Sequence, residues 1–326
     1  MPITASGTAE PLAHGGDLGA IRRRFPEAPE PWIDLSTGIN PVPYPVADLP
    51  IELWSRLPTR QQEQALIGAA ATRYGVRDPA TIVAAPGTQA LIQLLPRLVQ
   101  KSRVAVLGPT YEEHAQCWAR QGHDVTVVSD LEPADVTVVV NPNNPTGKLL
   151  PSELLRPDRG LLIVDEAFVD FLNPNASLAS NLPANTIVLR SFGKVYGLAG
   201  VRLGFAIAEK SIVDRIHGEL GPWAVSGPAL EIGRRALGDS AWLQAAAARL
   251  AADGKRLDTL LVSAGFEILG GTPLFRLARH PDAAAVTDRL GRQGIHVRRF
   301  AHEPGWIRFG LPANEAEFSR VAVALA

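Results

Sequence analysis

One lysine, Lys194, stands in the stretch Val188-Leu-Arg-Ser-Phe-Gly-Lys-Val-Tyr-Gly-Leu-Ala-Gly-Val-Arg-Leu-Gly-Phe205. An apolar run at 186–189 leads into it and a second, at 201–207, leads away. A lysine among small residues suits Schiff-base formation with an aldehyde, because glycines let the chain approach a flat group closely. Ser191, three residues before it, and Arg202, eight after, can hold a phosphate. A basic surface turn would carry the same residues, so the stretch decides nothing alone.

Other residues fit the same chemistry. Asp165 ends the apolar run 161–165, where a carboxylate needs a partner. A pyridinium N–H is one such partner; a helix cap or an arginine is another. Asn144, in Asn141-Pro-Asn-Asn-Pro-Thr-Gly147, can donate to a phenolate oxygen or complete an Asn-Pro turn. Tyr111, after Gly108-Pro109-Thr110, offers a face for stacking or fills a core. Gly87 and Thr88, with Gln89 beside them, open an apolar helical stretch. Free N–H groups there bind anions, although Thr88 can equally be a simple cap. Together these residues would hold pyridoxal phosphate with its aldehyde on Lys194.

The elements around them alternate. Short apolar runs at 81–85, 103–107, 124–128, 136–140, 161–166 and 186–189 read as strands, with helical stretches at 61–74, 90–99 and 111–121. That pattern predicts an α/β fold with a mostly parallel central sheet covered on both faces. Sites in such sheets form at the carboxyl ends of strands, where Gly87, Asn144, Asp165 and Lys194 all fall. Residues 26–58 are rich in proline and read as an arm. Within it, residues 33–41 form a short strand and a turn holding Asn40, either structural or lining a substrate. Residues 209–261 read as helices with Trp223, Leu230, Leu237 and Trp242 in the core, and a smaller α+β unit follows. The expected division is an arm at 1–45, a larger cofactor-binding domain at 46–225 and a small C-terminal domain at 226–326.

Composition narrows the partners. The 32 basic and 33 acidic side chains nearly cancel and form no like-charge block, which argues against nucleic acid or an anionic membrane. Arg22, Arg23 and Arg24 read as a solvated helix face. Cys117, the one cysteine, allows no intrachain disulfide and reads as a small core residue. The first residues lack a signal-peptide pattern and no apolar run reaches membrane-spanning length, so the cytoplasm is expected. No metal is expected.

In order along the chain, Gly87-Thr88, Tyr111, Asn144-Pro-Thr-Gly147, Asp165-Glu-Ala-Phe168 and Ser191-Phe-Gly-Lys194 with Arg202 resemble the motifs of fold-type I pyridoxal-phosphate enzymes, the aspartate aminotransferase superfamily. His14-Gly-Gly-Asp17, Ser36-Thr-Gly-Ile-Asn-Pro41 and Gly221-Pro-Trp-Ala-Val-Ser226 followed by Asp239-Ser-Ala-Trp242 are similar to the branch of histidinol-phosphate aminotransferases and threonine-O-3-phosphate decarboxylases, nearer the latter. The resemblance implies a homodimer and a role for each residue. Lys194 would carry the Schiff base, Asp165 pair with the pyridine nitrogen, Asn144 bond the ring oxygen and Tyr111 stack on the ring. Gly87, Thr88, Ser191 and Arg202 would hold the cofactor phosphate, with Gln89 adjacent. Arg308 would bind the substrate carboxylate, Arg298 its phosphate, and Asn40 would line the substrate end.

The implied reaction is decarboxylation of L-threonine O-3-phosphate to aminopropanol phosphate for the cobalamin nucleotide loop. Transamination of the histidinol-phosphate type is the alternative, since the same residues serve both and substrate orientation chooses between them. A silent cofactor-binding scaffold is a third reading, opposed by the retention of Lys194, Asp165, Asn144 and Arg308. Two positions depart from the family pattern. Phe168 stands where many relatives carry tyrosine, and Leu57-Pro58-Thr59 where many carry a Tyr-Pro-Asp segment that reaches the neighbouring subunit.

Overall fold

Val136-Thr-Val-Val-Val140 is β-branched at every position, which disfavours helix and suits a pleated strand. In the computed structural model, which describes residues 14–156 and 160–326, it is a buried strand of a seven-stranded sheet. The strands in chain order are β1 (Ile33–Leu35), β2 (Ile82–Ala85), β3 (Arg103–Leu107), β4 (Asp124–Val128), β5 (Val136–Val140), β6 (Leu161–Asp165), β7 (Thr186–Ser191), β8 (Gly204–Ile207), β9 (Glu267–Thr272), β10 (Phe275–Arg279), β11 (Ile295–Phe300) and β12 (Glu303–Gly310).

The chain divides into two units, one of residues 44–144 and 149–242 and a smaller one of residues 14–43, 145–148 and 243–326. The larger holds the sheet β2-β8-β7-β6-β5-β3-β4. Strands β4, β3, β5, β6 and β7 pair in parallel, and β8 runs antiparallel to β7 and β2. Helices Thr88–Leu94, Glu113–Arg120 and Lys210–Leu220 cover one face, burying Leu91, Trp118 and Ile216 against Val106, Val138, Ile163 and Leu189. Cys117 is buried in that cluster. Helix Arg60–Tyr74 lies on the opposite face, where the Tyr74 ring meets Phe205 edge-on at 5.7 Å.

The larger unit runs to Trp242, past the boundary at 225 read from the sequence. Helix Gly227–Gly238 explains the difference, because it packs on elements of this unit. A Cβ at Gly227 would meet the Leu53 carbonyl at 2.5 Å, and one at Gly233 would meet Leu203 and Leu66. Leu230 and Leu237 are buried as expected, whereas Trp223 is 58% exposed. A backbone φ of 59° at Trp223 accompanies that exposure.

The smaller unit holds the sheet β1-β11-β12-β10-β9. Strand β1, from the proline-rich arm, pairs in parallel with β11; the other pairings are antiparallel. Helix Leu18–Arg24 is capped by Asp17 and leaves Arg22, Arg23 and Arg24 exposed. No helix among the described residues is long and apolar enough to cross a membrane.

Candidate active site

Strand alternation sends Ile163 and Asp165 to the face covered by helix Glu113–Arg120. Asp165 is 4% exposed there. Its Oδ1 accepts the Ala167 N–H at 3.0 Å, and its Oδ2 accepts from His114 Nε2 at 3.0 Å. Burial pushes this carboxyl up, but the His114 bond and the charges of His114 and Lys194 prevail and hold it below the usual carboxylate range. His114 was not singled out from the sequence; it stands three residues after Tyr111, beside Ala115 on the buried side of an amphipathic helix.

Lys194 lies on the short turn of helix Phe192–Val195, directly beyond β7 and the buried Ser191. Its Nζ is 5.2 Å from the centre of the Phe168 ring, a cation–π contact. Gly193 serves close packing of the chain on itself, since a Cβ there would come within 2.8 Å of Ala199 Cα.

At the end of β2 the chain turns through Gly87, whose φ is +84°. Gly87, not Thr88, is the cap residue of helix Thr88–Leu94, and the cap uses no side-chain bond. A Cβ at Gly87 would lie 2.6 Å from Arg202 Nη2, so the glycine leaves room for that guanidinium. Arg202 itself takes a left-handed φ of 55°, which ends the short turn Ala199–Val201 and delays β8 until Gly204. The Gln89 side chain is used locally: its Oε1 accepts from the Tyr111 hydroxyl at 3.2 Å and its Nε2 donates to Glu113 Oε2 at 2.8 Å. Gln89 thereby orients Tyr111. Asn144, half-buried, closes the segment after β5 in this unit.

The larger unit therefore offers a buried carboxylate kept ionised, an amine, and a glycine turn faced by a guanidinium. That donor set fits one flat molecule bearing a protonated ring nitrogen, an aldehyde and a phosphate. Among the described residues, no group of three or more His, Cys, Asp or Glu is placed to hold a metal ion.

In the smaller unit, Arg298 of β11 stands directly opposite Arg308 of β12, so both project from one sheet face. Arg308 is buried and its Nη2 donates to the Ser36 carbonyl at 2.7 Å. Burial, and then the charge of Arg298, lower Arg308 to about 10 against the pull of Asp34. Like charges facing each other are unfavourable, and an anion at this face relieves them. Asn40 is 2% exposed, and its Oδ1 accepts from Arg249 Nη2 at 2.8 Å and from the Val42 N–H at 3.2 Å. That oxygen anchors the turn.

Residues 51–325 match the family of class I and II aminotransferases. The chain belongs to that family. Within the class I and II aminotransferases it is 43% identical to the threonine-phosphate decarboxylase of Pseudomonas aeruginosa, over 96% of this chain and 97% of that one. It is 44% identical to the threonine-phosphate decarboxylase of a Sinorhizobium species, over 97% and 98% of the two chains. A histidinol-phosphate aminotransferase of Thiobacillus denitrificans is 35% identical, but over only 63% of this chain and 54% of its own length. The fold-type I architecture recurs in the crystal structure of histidinol-phosphate aminotransferase from Sinorhizobium meliloti in complex with pyridoxal-5'-phosphate, at a TM-score of 0.78 and 22% identity over 98% and 94% of the chains.

Proposed function

We propose that this chain is a pyridoxal-phosphate-dependent decarboxylase acting on L-threonine O-3-phosphate. It releases CO2 and leaves (R)-1-aminopropan-2-ol O-2-phosphate, the aminopropanol unit of the cobalamin nucleotide loop. The observation that carries this reading is the 43–44% identity, over nearly whole chains, to two proteins named threonine-phosphate decarboxylase. Facing Arg298 and Arg308 support a substrate with two anionic groups. Threonine phosphate carries a carboxylate and a phosphate; histidinol phosphate carries no carboxylate.

Lys194 would hold the cofactor's aldehyde carbon, Asp165 its ring nitrogen, Asn144 its ring oxygen and Tyr111 one ring face. Gly87, Thr88, Ser191 and Arg202 would hold its phosphate, with Gln89 steadying Tyr111. Bound there, pyridoxal phosphate supplies an electron sink for the pair released when a bond at the substrate's α-carbon breaks. The protein determines which bond that is. Arg308 takes the substrate carboxylate and Arg298 the phosphate, and two anchors fix the rotation about the α-carbon that one would leave free. His114 and the Ala167 N–H keep Asp165 ionised, so that Asp165 would hold a proton on the cofactor's ring nitrogen. Lys194 Nζ would be the group that returns a proton to the α-carbon.

A substrate panel tests the reading. L-threonine phosphate should be consumed without any keto acid and far more efficiently than threonine, whereas histidinol phosphate should not be consumed. Turnover that requires 2-oxoglutarate would assign the chain to amino transfer instead.

The protein is further read as a homodimer. Ile51, Trp54 and Leu57 are 69%, 64% and 64% exposed within seven residues of the larger unit, an apolar surface of the kind an interface covers.

A further inference from the structure

Asp165 and Glu166 are consecutive at the end of β6, so their side chains go to opposite faces. Asp165 meets His114 on one face. On the other, Glu166 is fully buried and meets Arg190 of β7, itself 3% exposed. Arg190 Nη1 donates to Glu166 Oε2 at 3.2 Å and to Ser177 Oγ at 2.9 Å, and Nη2 donates to Asp170 Oδ1 at 2.6 Å. Arg73, from helix Arg60–Tyr74, donates to the same Asp170 oxygen at 3.1 Å. The Tyr74 ring lies 4.2 Å from Arg190 Cζ. Glu166 Oε1 is held by the Leu178 N–H at 2.7 Å, and the Glu166 N–H donates to the Leu189 carbonyl at 2.9 Å.

Two guanidinium groups and two carboxylates thus balance inside the larger unit. Burial opposes the charge on Arg190, but Asp170 and Glu166 outweigh it and raise its affinity for the proton. Glu166 is pushed up by burial against the pull of Arg190. Such a buried cluster is a poor source of net stability, because desolving the ions offsets their attraction. Its location suggests another role. Glu166 is the residue after Asp165, and Arg190 precedes Ser191 and lies four residues before Lys194. The planar fork of one guanidinium ties the two strand ends together from behind, and it holds two carboxylates in a fixed geometry that a lysine cannot reproduce.

We propose that Arg190 is a positioning residue: by bridging Glu166 and Asp170 it fixes Asp165 relative to Lys194 across β6 and β7. The proposal rests on the cofactor reading above, since Asp165 and Lys194 are the two groups it aligns.

Arg190→Lys keeps the charge and removes the fork. The informative readout needs no substrate: the visible absorbance of the cofactor-loaded protein, titrated with pH, reports the proton affinity of the group formed at Lys194, which depends on its placement relative to Asp165. We expect that midpoint to move by about half a pH unit or more, and kcat to fall about tenfold or more with KM changed less than about twofold. A folded Arg190→Lys protein that melts at a lower temperature but keeps the wild-type midpoint and kcat would overturn the proposal. If Arg190→Lys does not fold, isosteric Asp170→Asn is judged by the same two readouts. A wild-type protein with no such absorbance band would overturn the cofactor reading and the proposal with it. An unmoved midpoint in a variant that does show the band overturns only the role of Arg190.

Discussion

His114 Nε2 lies 3.0 Å from Asp165 Oδ2, and both side chains are buried. Burial alone would favour a neutral Asp165, and the histidine bond is the largest of the contributions that offset it. His114→Phe should therefore weaken cofactor binding. A hydrogen bond to a charged group contributes roughly 1.5–3 kcal/mol, or about 10- to 100-fold in affinity. Titration of the cofactor-free variant with pyridoxal phosphate, followed by absorbance, measures this. An unchanged affinity would separate His114 from the site.

The same contact predicts a pH dependence of stability. Asp165 has a lowered proton affinity in the folded state, so its contribution is present at neutral pH and is lost as pH falls through that lowered value. Melting curves of the cofactor-free wild type and His114→Phe should differ most at neutral pH. The gap should narrow below about pH 4, where unfolded aspartate also takes up a proton. A gap independent of pH would mean that His114 contributes only packing.

Gly87→Ala introduces a Cβ 2.6 Å from Arg202 Nη2 at a backbone φ of +84°. With ψ at 158° this is a positive-φ extended conformation that essentially only glycine adopts, and it alone costs a side chain roughly 1–3 kcal/mol. Chemical denaturation of the cofactor-free protein should show that loss. The displaced guanidinium should weaken pyridoxal phosphate more than pyridoxal, which has no phosphate. Equal weakening of both would remove Arg202 from the phosphate site.

How much of this was readable in the chain differs from residue to residue. Strands β3, β4 and β5 have the limits read from the sequence, because β-branched runs end at turn residues or charges. The placement of Lys194 just after a strand, and of Asp165 at the end of one, was legible for a related reason: each follows or ends an apolar run. His114 was not, because its partner is 51 positions away and a helix pattern does not say which polar side chain turns inward. The local use of Gln89 by Tyr111 and Glu113, and the bridge from Arg190 to Glu166 and Asp170, depend on tertiary placement in the same way. Trp223 reads as core by its bulk, and only its placement in the fold shows it facing solvent. The boundary at 242 was hidden because an amphipathic helix does not name the partner it packs against.

Arg298→Ala should lower kcat/KM for threonine phosphate by about 10- to 100-fold, the range for a lost charged hydrogen bond, and spare unphosphorylated threonine. Arg308→Ala should damage both substrates, since both carry the carboxylate. Steady-state kinetics on the two substrates checks the pair. Equal losses in the Arg298 variant would take that arginine out of the phosphate site.

If Ile51, Trp54 and Leu57 face a second copy, light scattering should give twice the mass of the 34.9 kDa chain, and Trp54→Glu should lower it toward one. A monomeric wild type would remove the dimer from the account.

The most direct measurement uses L-threonine phosphate labelled with carbon-13 in its carboxyl group and protein loaded with pyridoxal phosphate, with no keto acid present. The account predicts labelled CO2 and aminopropanol phosphate in equal amounts. Retention of the label in the amino acid, with amino transfer appearing once 2-oxoglutarate and histidinol phosphate are supplied, would contradict it.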